Sequence, residues 1–286
     1  MEQKSPVPLF RKVDSKYLPR FLLSASLITF LEKLTLSPRF FLSASLMIFL
    51  EKLTQNIPSF FAPLFFKKWI YMSFSQCQED IFLNDRYFKN KRNGTYIELG
   101  ALDGNAYSNT KFFEDQFNWK GILIEPHPNM FELLKNNRPN NFLFNDLVSC
   151  HEEELKFRYF VHCYAPVSGV ESTLTEHHFK DYFENECNRP LPQDSVMMKP
   201  KTLTEIVKST GLEHIDLLSL DVEGHEYEVL QSWDFSIPID VILIEMLDQF
   251  SEKDELCRKY LIEKGYRFDC KCAHNEVFIR NGFTYE

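Results

Sequence analysis

Hydrophobic and polar positions follow two different rhythms along the chain, with a change near residue 70. In the first part, Leu23, Leu27, Phe30, Leu31 and Leu34 fall at i, i+4, i+7, i+8 and i+11, and Leu42, Leu46, Phe49, Leu50 and Leu53 repeat that spacing. This is the stripe of an amphipathic helix. The repetition is literal: residues 19–37 (PRFLLSASLITFLEKLTLS) and 38–56 (PRFFLSASLMIFLEKLTQN) match at 14 of 19 positions, a tandem duplication. Ser37 before Pro38 suits an N-cap followed by a first helical residue, so two short helices meeting at Pro38 are expected. Pro58, Pro63 and LFFKKW (64–69) read as a linker.

From residue 94 short apolar runs alternate with helical stretches. Strands are expected at 96–101, 121–126, 142–149, 155–162, 215–223, 240–246, 266–274 and 276–280. Helices are expected at 107–118, 129–137, 201–210, 226–233 and 251–264. Runs such as ILIE, IDLLSLD and DVILIE are apolar on both faces of a strand, the mark of a parallel sheet covered by helices on both sides. The last two strands, joined by a tight link, predict an antiparallel hairpin. The expected fold is α/β: a Rossmann-like, mostly parallel sheet with an antiparallel terminal hairpin (71–286), plus an N-terminal helical appendage (1–70). Residues 163–200 interrupt the alternation with mixed polarity, and an insertion there would lie near the strands' carboxyl ends, where open α/β sheets bind ligands.

Charge separates the same two parts. Residues 1–70 carry ten Lys/Arg against four Asp/Glu, and the remainder 22 against 37, within a formal net charge of −9. An acidic body argues against nucleic acid as a partner, because phosphate neutralisation needs a basic face. Each apolar run of the duplication is 11 residues, about 16 Å of helix against a hydrocarbon core of about 30 Å. The intervening Glu32-Lys33 and Pro38-Arg39 further oppose a transmembrane helix, and no small-residue cleavage site marks a signal peptide. Two readings stand for residues 19–70: peripheral contact with an anionic membrane surface, or a helical pair packed on itself or on the body. Seven cysteines without a Cys-x-x-Cys pair point to a reducing compartment, so a cytoplasmic protein is expected, membrane-associated at its periphery on the first reading. In Cys270-Lys-Cys272-Ala-His274 the alternation is that of a strand, with both cysteines as small hydrophobes on one face rather than metal ligands.

Candidate chemistry begins at TYIELGALDGNAYSNT (95–110). A dinucleotide site requires Gly-x-Gly-x-x-Gly; this stretch offers Glu98-x-Gly100-x-x-x-Gly104, with Asp103 beside the second glycine. An acid at the strand end suits S-adenosylmethionine, whose ammonium and sulfonium a carboxylate can balance directly or through water. Glu125 ends the next strand, 21 residues after Gly104, the usual place for a carboxylate holding both ribose hydroxyls. Asp146, after the third strand, could accept from the adenine amino group. Further on, Asp221-Val-Glu223-Gly-His225-Glu226 follows the strand at 215–220. Asp221 is the expected proton acceptor and His225 the second candidate. Glu226 can alternatively cap the helix, and Asp221 and Glu223 would point to opposite faces if the strand continued. Asp221, Glu245 and Asp248 could gather a divalent cation, but no metal is assigned. Ser75, Gln76, Gln78 and Asp80 read as a polar lid and, at capping-box spacing, as a helix start.

SQCQED (75–80), YIELGALDGNAYSNT, WKGILIEPHPNMFELL and IDLLSLDVEGHEYEVL together resemble the FkbM-type methyltransferase family, in order and spacing, over roughly residues 74–280; here Glu79 stands ahead of Asp80 in the first motif. The resemblance implies a class I S-adenosylmethionine-dependent methyltransferase fold and methyl transfer, typically to an oxygen of a sugar or secondary metabolite. Residues 1–70 have no counterpart in that pattern. The expected cofactor-binding set is Glu98, Gly100, Ala101, Asp103, Gly104, Ser108, Asn109, Thr110, Glu125, Pro126 and Asp146; the expected catalytic set is Asp221, Glu223, His225 and Glu226. A glycan or small-molecule acceptor is the expected partner. The alternatives are a catalytically inactive methyltransferase-like interaction module, opposed by the intact acids and glycines, and an NAD-dependent oxidoreductase, opposed by the missing third glycine.

Overall fold

The computed structural model describes residues 73–161, 165–176, 180, 193–246 and 251–285. The duplicated segment and linker, Asp248, and His177, His178, Tyr182 and Glu184 of the insertion lie outside the described residues.

The body is built on a seven-stranded sheet. Its strands are β1 (Thr95–Leu99), β2 (Lys120–Ile124), β3 (Phe142–Phe144), β7 (Ile215–Leu220), β8 (Ile239–Glu245), β9 (Tyr266–Cys272) and β10 (Asn275–Arg280), in the order β3-β2-β1-β7-β8-β10-β9. The pairs β3–β2, β2–β1, β1–β7 and β7–β8 are parallel. Only β10 runs against its neighbours, inserted between β8 and β9. This is a Rossmann-like, mostly parallel sheet with the expected antiparallel end.

The apolar runs are explained by the two faces. Ile97, Leu99, Ile122, Ile124, Leu218 and Ile244 belong to one buried cluster, while Tyr96, Leu123, Leu217, Val241 and Leu243 belong to the other. Successive strand residues alternate between faces, so a strand buried on both sides is apolar at most of its positions. Helices α1 (Glu79–Leu83), α2 (Lys111–Phe117) and α3 (Pro128–Asn137) feed the second cluster through Leu83, Phe112, Phe113, Phe117 and Leu134. Helices α4 (Leu203–Thr210), α5 (Glu226–Gln231) and α6 (Ser251–Glu263) feed the first through Leu203, Ile206, Val229, Leu230, Cys257 and Leu261. Cys270 and Cys272 pack together in the second cluster, as the alternation predicts.

Three expectations are corrected. The third strand ends at Phe144 rather than 149, because the chain turns away after the sheet's edge. The segment 155–162 does not join the main sheet. Its strand, β4 (Leu155–Phe160), pairs antiparallel with β5 (Gly169–Val170) and β6 (Gln193–Met198) in a separate three-stranded sheet. Ser75 and Gln78 do not form a capping box. Gln78 itself starts α1 with φ 67 and makes no side-chain cap, while the buried Asp80 carboxylate accepts from Ser73 Oγ, Phe74 N–H and Ser75 N–H. Among the described residues no helix is long and apolar enough to cross a membrane.

Candidate active site

A cavity of about 510 Å3 opens at the carboxyl ends of β1, β2, β7 and β8, within the size range of small-ligand sites. Glu98, Gly100, Asn109, Glu125, Pro126 and Asp146 line it from one side, and Asp221, Glu223, His225 and Glu245 from the other. Ala101, Asp103, Gly104, Ser108, Thr110 and Glu226 do not line it. The small sheet and its approach close the wall with Phe157, Val167, Ser168 and Val170.

The residues of the 100–110 loop that miss the cavity hold the loop's shape. Ala101 is buried in the core. The Asp103 carboxylate accepts from the N–H groups of Asn105 and Ala106, at 2.9 and 2.8 Å, closing a local turn. Gly104, at φ +82, leaves room for Arg138 and Leu134. Gly100, at φ +77, is glycine because a Cβ there would collide with the backbone carbonyl of Asp221; its demand comes from the neighbouring strand's exit rather than from a ligand.

Glu98 lines the cavity and also serves its own loop. Its carboxylate accepts from Asn109 N–H (2.7 Å), Ser108 Oγ (2.9 Å) and Thr110 Oγ1 (2.6 Å). Behind it the fully buried Arg138 sits 3.9 Å away. Arg138 also donates to Gly104 O, Tyr96 Oη and Thr110 Oγ1 and pairs with Glu114. Burial raises the Glu98 pKa, and Arg138 and the three donors oppose that rise. Glu98 therefore anchors the Ser108-Asn109-Thr110 loop beneath the cavity. Tyr96, Glu114, Arg138 and Asn141, which complete this network, escaped the sequence reading because they are single polar residues far apart in the chain.

Glu125 is placed as expected, at the end of β2. Each oxygen accepts one backbone N–H, Leu102 on Oε2 and His127 on Oε1, both at 2.7 Å, which leaves each a lone pair for another donor. Burial, with a smaller contribution from Asp221, pushes its pKa up to about 7. Asp146 lines the cavity while pairing with Lys201 at 2.8 Å.

At the other end, β7 stops at Leu220, and Glu223 adopts φ 55 ahead of Gly224 at φ 96. A non-glycine residue in that region costs roughly 1–2 kcal/mol. The turn overturns the opposite-faces expectation: Asp221 and Glu223 are brought together, and with Glu245 their carboxyl oxygens lie within 4.8 Å of one another. Such a set can share protons or receive a cation. Burial and mutual repulsion drive Glu245 up to about 11 and Glu223 well above the carboxylate range. Asp221, hydrogen-bonded to Glu245, rises only to about 6. All three acids are raised, so the set holds protons in common near neutrality.

Glu226 takes the alternative role, accepting from Val222 N–H and Gly224 N–H at 3.1 Å each and closing the turn from beneath. His225 is a strut rather than a base. Its Nε2 meets Ser149 Oγ at 3.1 Å and its Nδ1 meets Thr173 Oγ1 at 3.2 Å. Burial, aided by the Lys253 charge, lowers its pKa to about 3. Gln76, read as part of a polar lid, lines the cavity, as do Glu245, Tyr107, Ser219 and His274.

A family model described as the methyltransferase FkbM domain matches residues 98–268. No curated protein matches the chain. Among solved structures, a precorrin-6y C5,15-methyltransferase from Geobacter metallireducens GS-15 is similar at 13% identity and TM-score 0.34, covering 71% of this chain and 85% of that one. A methyltransferase from Pyrococcus furiosus is similar at 13% identity and TM-score 0.35, covering 70% and 80%. A putative rRNA-methylase from Clostridium thermocellum is similar at 10% identity and TM-score 0.34, covering 72% and 94%. The matched span takes in every acid of the cavity from Glu98 to Glu245 and most of the sheet that carries them, and the chain belongs to the FkbM methyltransferase family.

Proposed function

We propose that the chain is an S-adenosylmethionine-dependent methyltransferase acting on a hydroxyl of a glycan or small metabolite. The observation that carries this reading is the division of labour within one cavity, with Glu125 at one end and the proton-sharing Asp221–Glu245 pair at the other. The residues present fit the donor molecule. Glu125 keeps one lone pair on each oxygen for a pair of hydroxyls, Leu147, Val148 and Phe157 offer apolar walls for a base, and the acids at β7 and β8 suit a positive centre. S-adenosylmethionine would supply an electrophilic methyl group there.

The chain's own residues have two tasks. Walls on both sides hold the acceptor in place, which is the larger part of catalysis for a bimolecular displacement. Asp221, which lines the cavity hydrogen-bonded to Glu245, accepts the hydroxyl proton as the oxygen attacks; a positioned base contributes about 10²–10⁴-fold.

Calorimetry with S-adenosylhomocysteine, with NAD as control, tests the donor. S-adenosylhomocysteine is expected to bind and NAD not to. In Glu125→Ala the affinity should fall by about one to two decades, since a hydrogen bond to a charged group contributes roughly 1.5–3 kcal/mol. Absence of S-adenosylhomocysteine binding to the parent chain would sink the reading. A screen of sugars and small hydroxylated metabolites with methyl-labelled donor identifies the acceptor.

A further inference from the structure

The turn that carries Asp221 and Glu223 places two consecutive residues, Glu223 and Gly224, at positive φ. Such a turn persists only when its surroundings over-determine it. From one side Glu226 takes the N–H groups of Val222 and Gly224. From the other side comes Lys253, on the first turn of α6. Its Nζ donates to Gly224 O at 2.6 Å and to Thr173 O at 3.4 Å, and it lies 3.9 Å from Glu228 Oε1.

Thr173 belongs to the wall. Its N–H returns to Val170 O at 3.0 Å, and Ser168 and Val170 line the cavity. The same residue's hydroxyl meets His225 Nδ1, whose ring reaches Ser149 beyond the end of β3. The wall also packs directly on the turn, because a Cβ at Gly169 would come within 3.4 Å of Glu223 Cβ. Two chain segments remote in sequence therefore converge on one ammonium group carried by a third.

We propose that Lys253 is a positioning residue of the methyl-transfer site: by bridging Gly224 O and Thr173 O, it fixes the Asp221–Glu223 turn against the Ser168–Val170 wall so that the two sides of the acceptor end hold one spacing. The role rests on the methyltransferase reading of this cavity. An ammonium is suited to it, since it is a compact charge with three donors on a long stem and can serve two carbonyls and a carboxylate at once. A methionine has the length without the donors, and an arginine keeps both the charge and the donors.

The test compares the full-length chain with Lys253→Met, Lys253→Gln and Lys253→Arg by hydrogen exchange of peptides covering 168–176 and 219–226. Exchange in both peptides is expected to quicken together by about tenfold in Lys253→Met, with the 95–110 loop unchanged, because these segments would open as a unit. Lys253→Arg should return both to within about threefold of the parent. Lys253→Gln, which keeps a donor but no charge, gives the same readout should the methionine variant fail to fold. S-adenosylhomocysteine affinity should stay within about threefold in every variant, while turnover of the acceptor found by the labelled-donor screen drops about tenfold or more in kcat with little change in KM, and recovers in Lys253→Arg. Unchanged exchange, quickening confined to α6, or an arginine variant as defective as the methionine one would overturn the proposal. Failure of the parent chain to bind S-adenosylhomocysteine would instead strike the methyltransferase reading, with the exchange result still deciding the bridge.

Discussion

The acids that line the cavity are treated in two opposite ways. Glu98, beneath the 100–110 loop, receives three hydrogen bonds and has Arg138 behind it, so four partners counter the effect of its burial. Glu223 and Glu245, at the exits of β7 and β8, are surrounded by influences that all push in one direction; burial and neighbouring acids each raise them. A buried charge is tolerated when it is paired and hydrogen-bonded, and otherwise it takes up a proton. Glu98 is therefore architecture and the acids at the β7 and β8 exits are chemistry, although residue type alone would not separate them. Perturbed carboxyls collected in a cleft mark a functional site on those grounds.

The sharpest way to break this contrast is to exchange the consequences. Asp221→Asn removes the proton acceptor and should lower methyl transfer by about 10²–10⁴-fold while leaving the folded state and S-adenosylhomocysteine affinity nearly intact; steady-state rates and calorimetry on one preparation check both. Arg138→Met should do the reverse. It strands Glu98 and Glu114 without their cation, and breaking a buried pair costs about 3–5 kcal/mol, so denaturant melts should show a large loss of stability. A rate defect in Arg138→Met without a stability defect would erase the distinction.

The smallest effect is a pH dependence of stability. Burial raises Glu125 and Glu226 from an ordinary 4.5 to about 7, and Asp221, Glu223 and Glu245 are raised beside them and act in the same direction. A carboxyl raised on folding binds its proton more tightly in the folded chain, so its contribution is fully present below about 4.5 and is lost as pH rises through about 7. Groups held low by ion pairs, such as Asp234 at about 2, titrate below that window and do not obscure it. The thermal midpoint should therefore fall by a few degrees between about pH 5 and about pH 8, and Glu226→Gln should flatten the slope. A midpoint that rises over that range would contradict the burial of these acids.

How far the sequence could be read follows the same divide. GILIE, IDLLSLD and DVILIE were legible as strands because burial on both faces keeps most positions apolar, and their ends delivered Glu125, Asp221 and Glu245 to one place. Glu98, Ser108 and Thr110 were visible as a motif, but not as partners of one another, since a motif does not say whether its acid faces a ligand or its own loop. Arg138 left no pattern at all: a lone arginine after a helix looks like surface, and its burial depends on Tyr96 and Glu114, which lie 42 and 24 residues away. The small sheet was equally hidden, because β6 (QDSVMM) alternates weakly and β5 is two residues long. The turn at Glu223 reversed an expectation for a local reason, a left-handed residue where continued strand would have sent its carboxylate away.

The placement of β10 inside the sheet has a consequence for synthesis. Residues 275–280 are translated after every other strand, yet they pair with β8 on one side and β9 on the other. Until they leave the ribosome, β8 presents the bare edge of a wholly apolar strand, Val241 to Ile244, and β9 has no neighbour to join. An exposed apolar edge invites pairing with other chains. A nascent or prematurely terminated chain lacking these six residues is thus expected to be a client of chaperones rather than a slightly shortened enzyme.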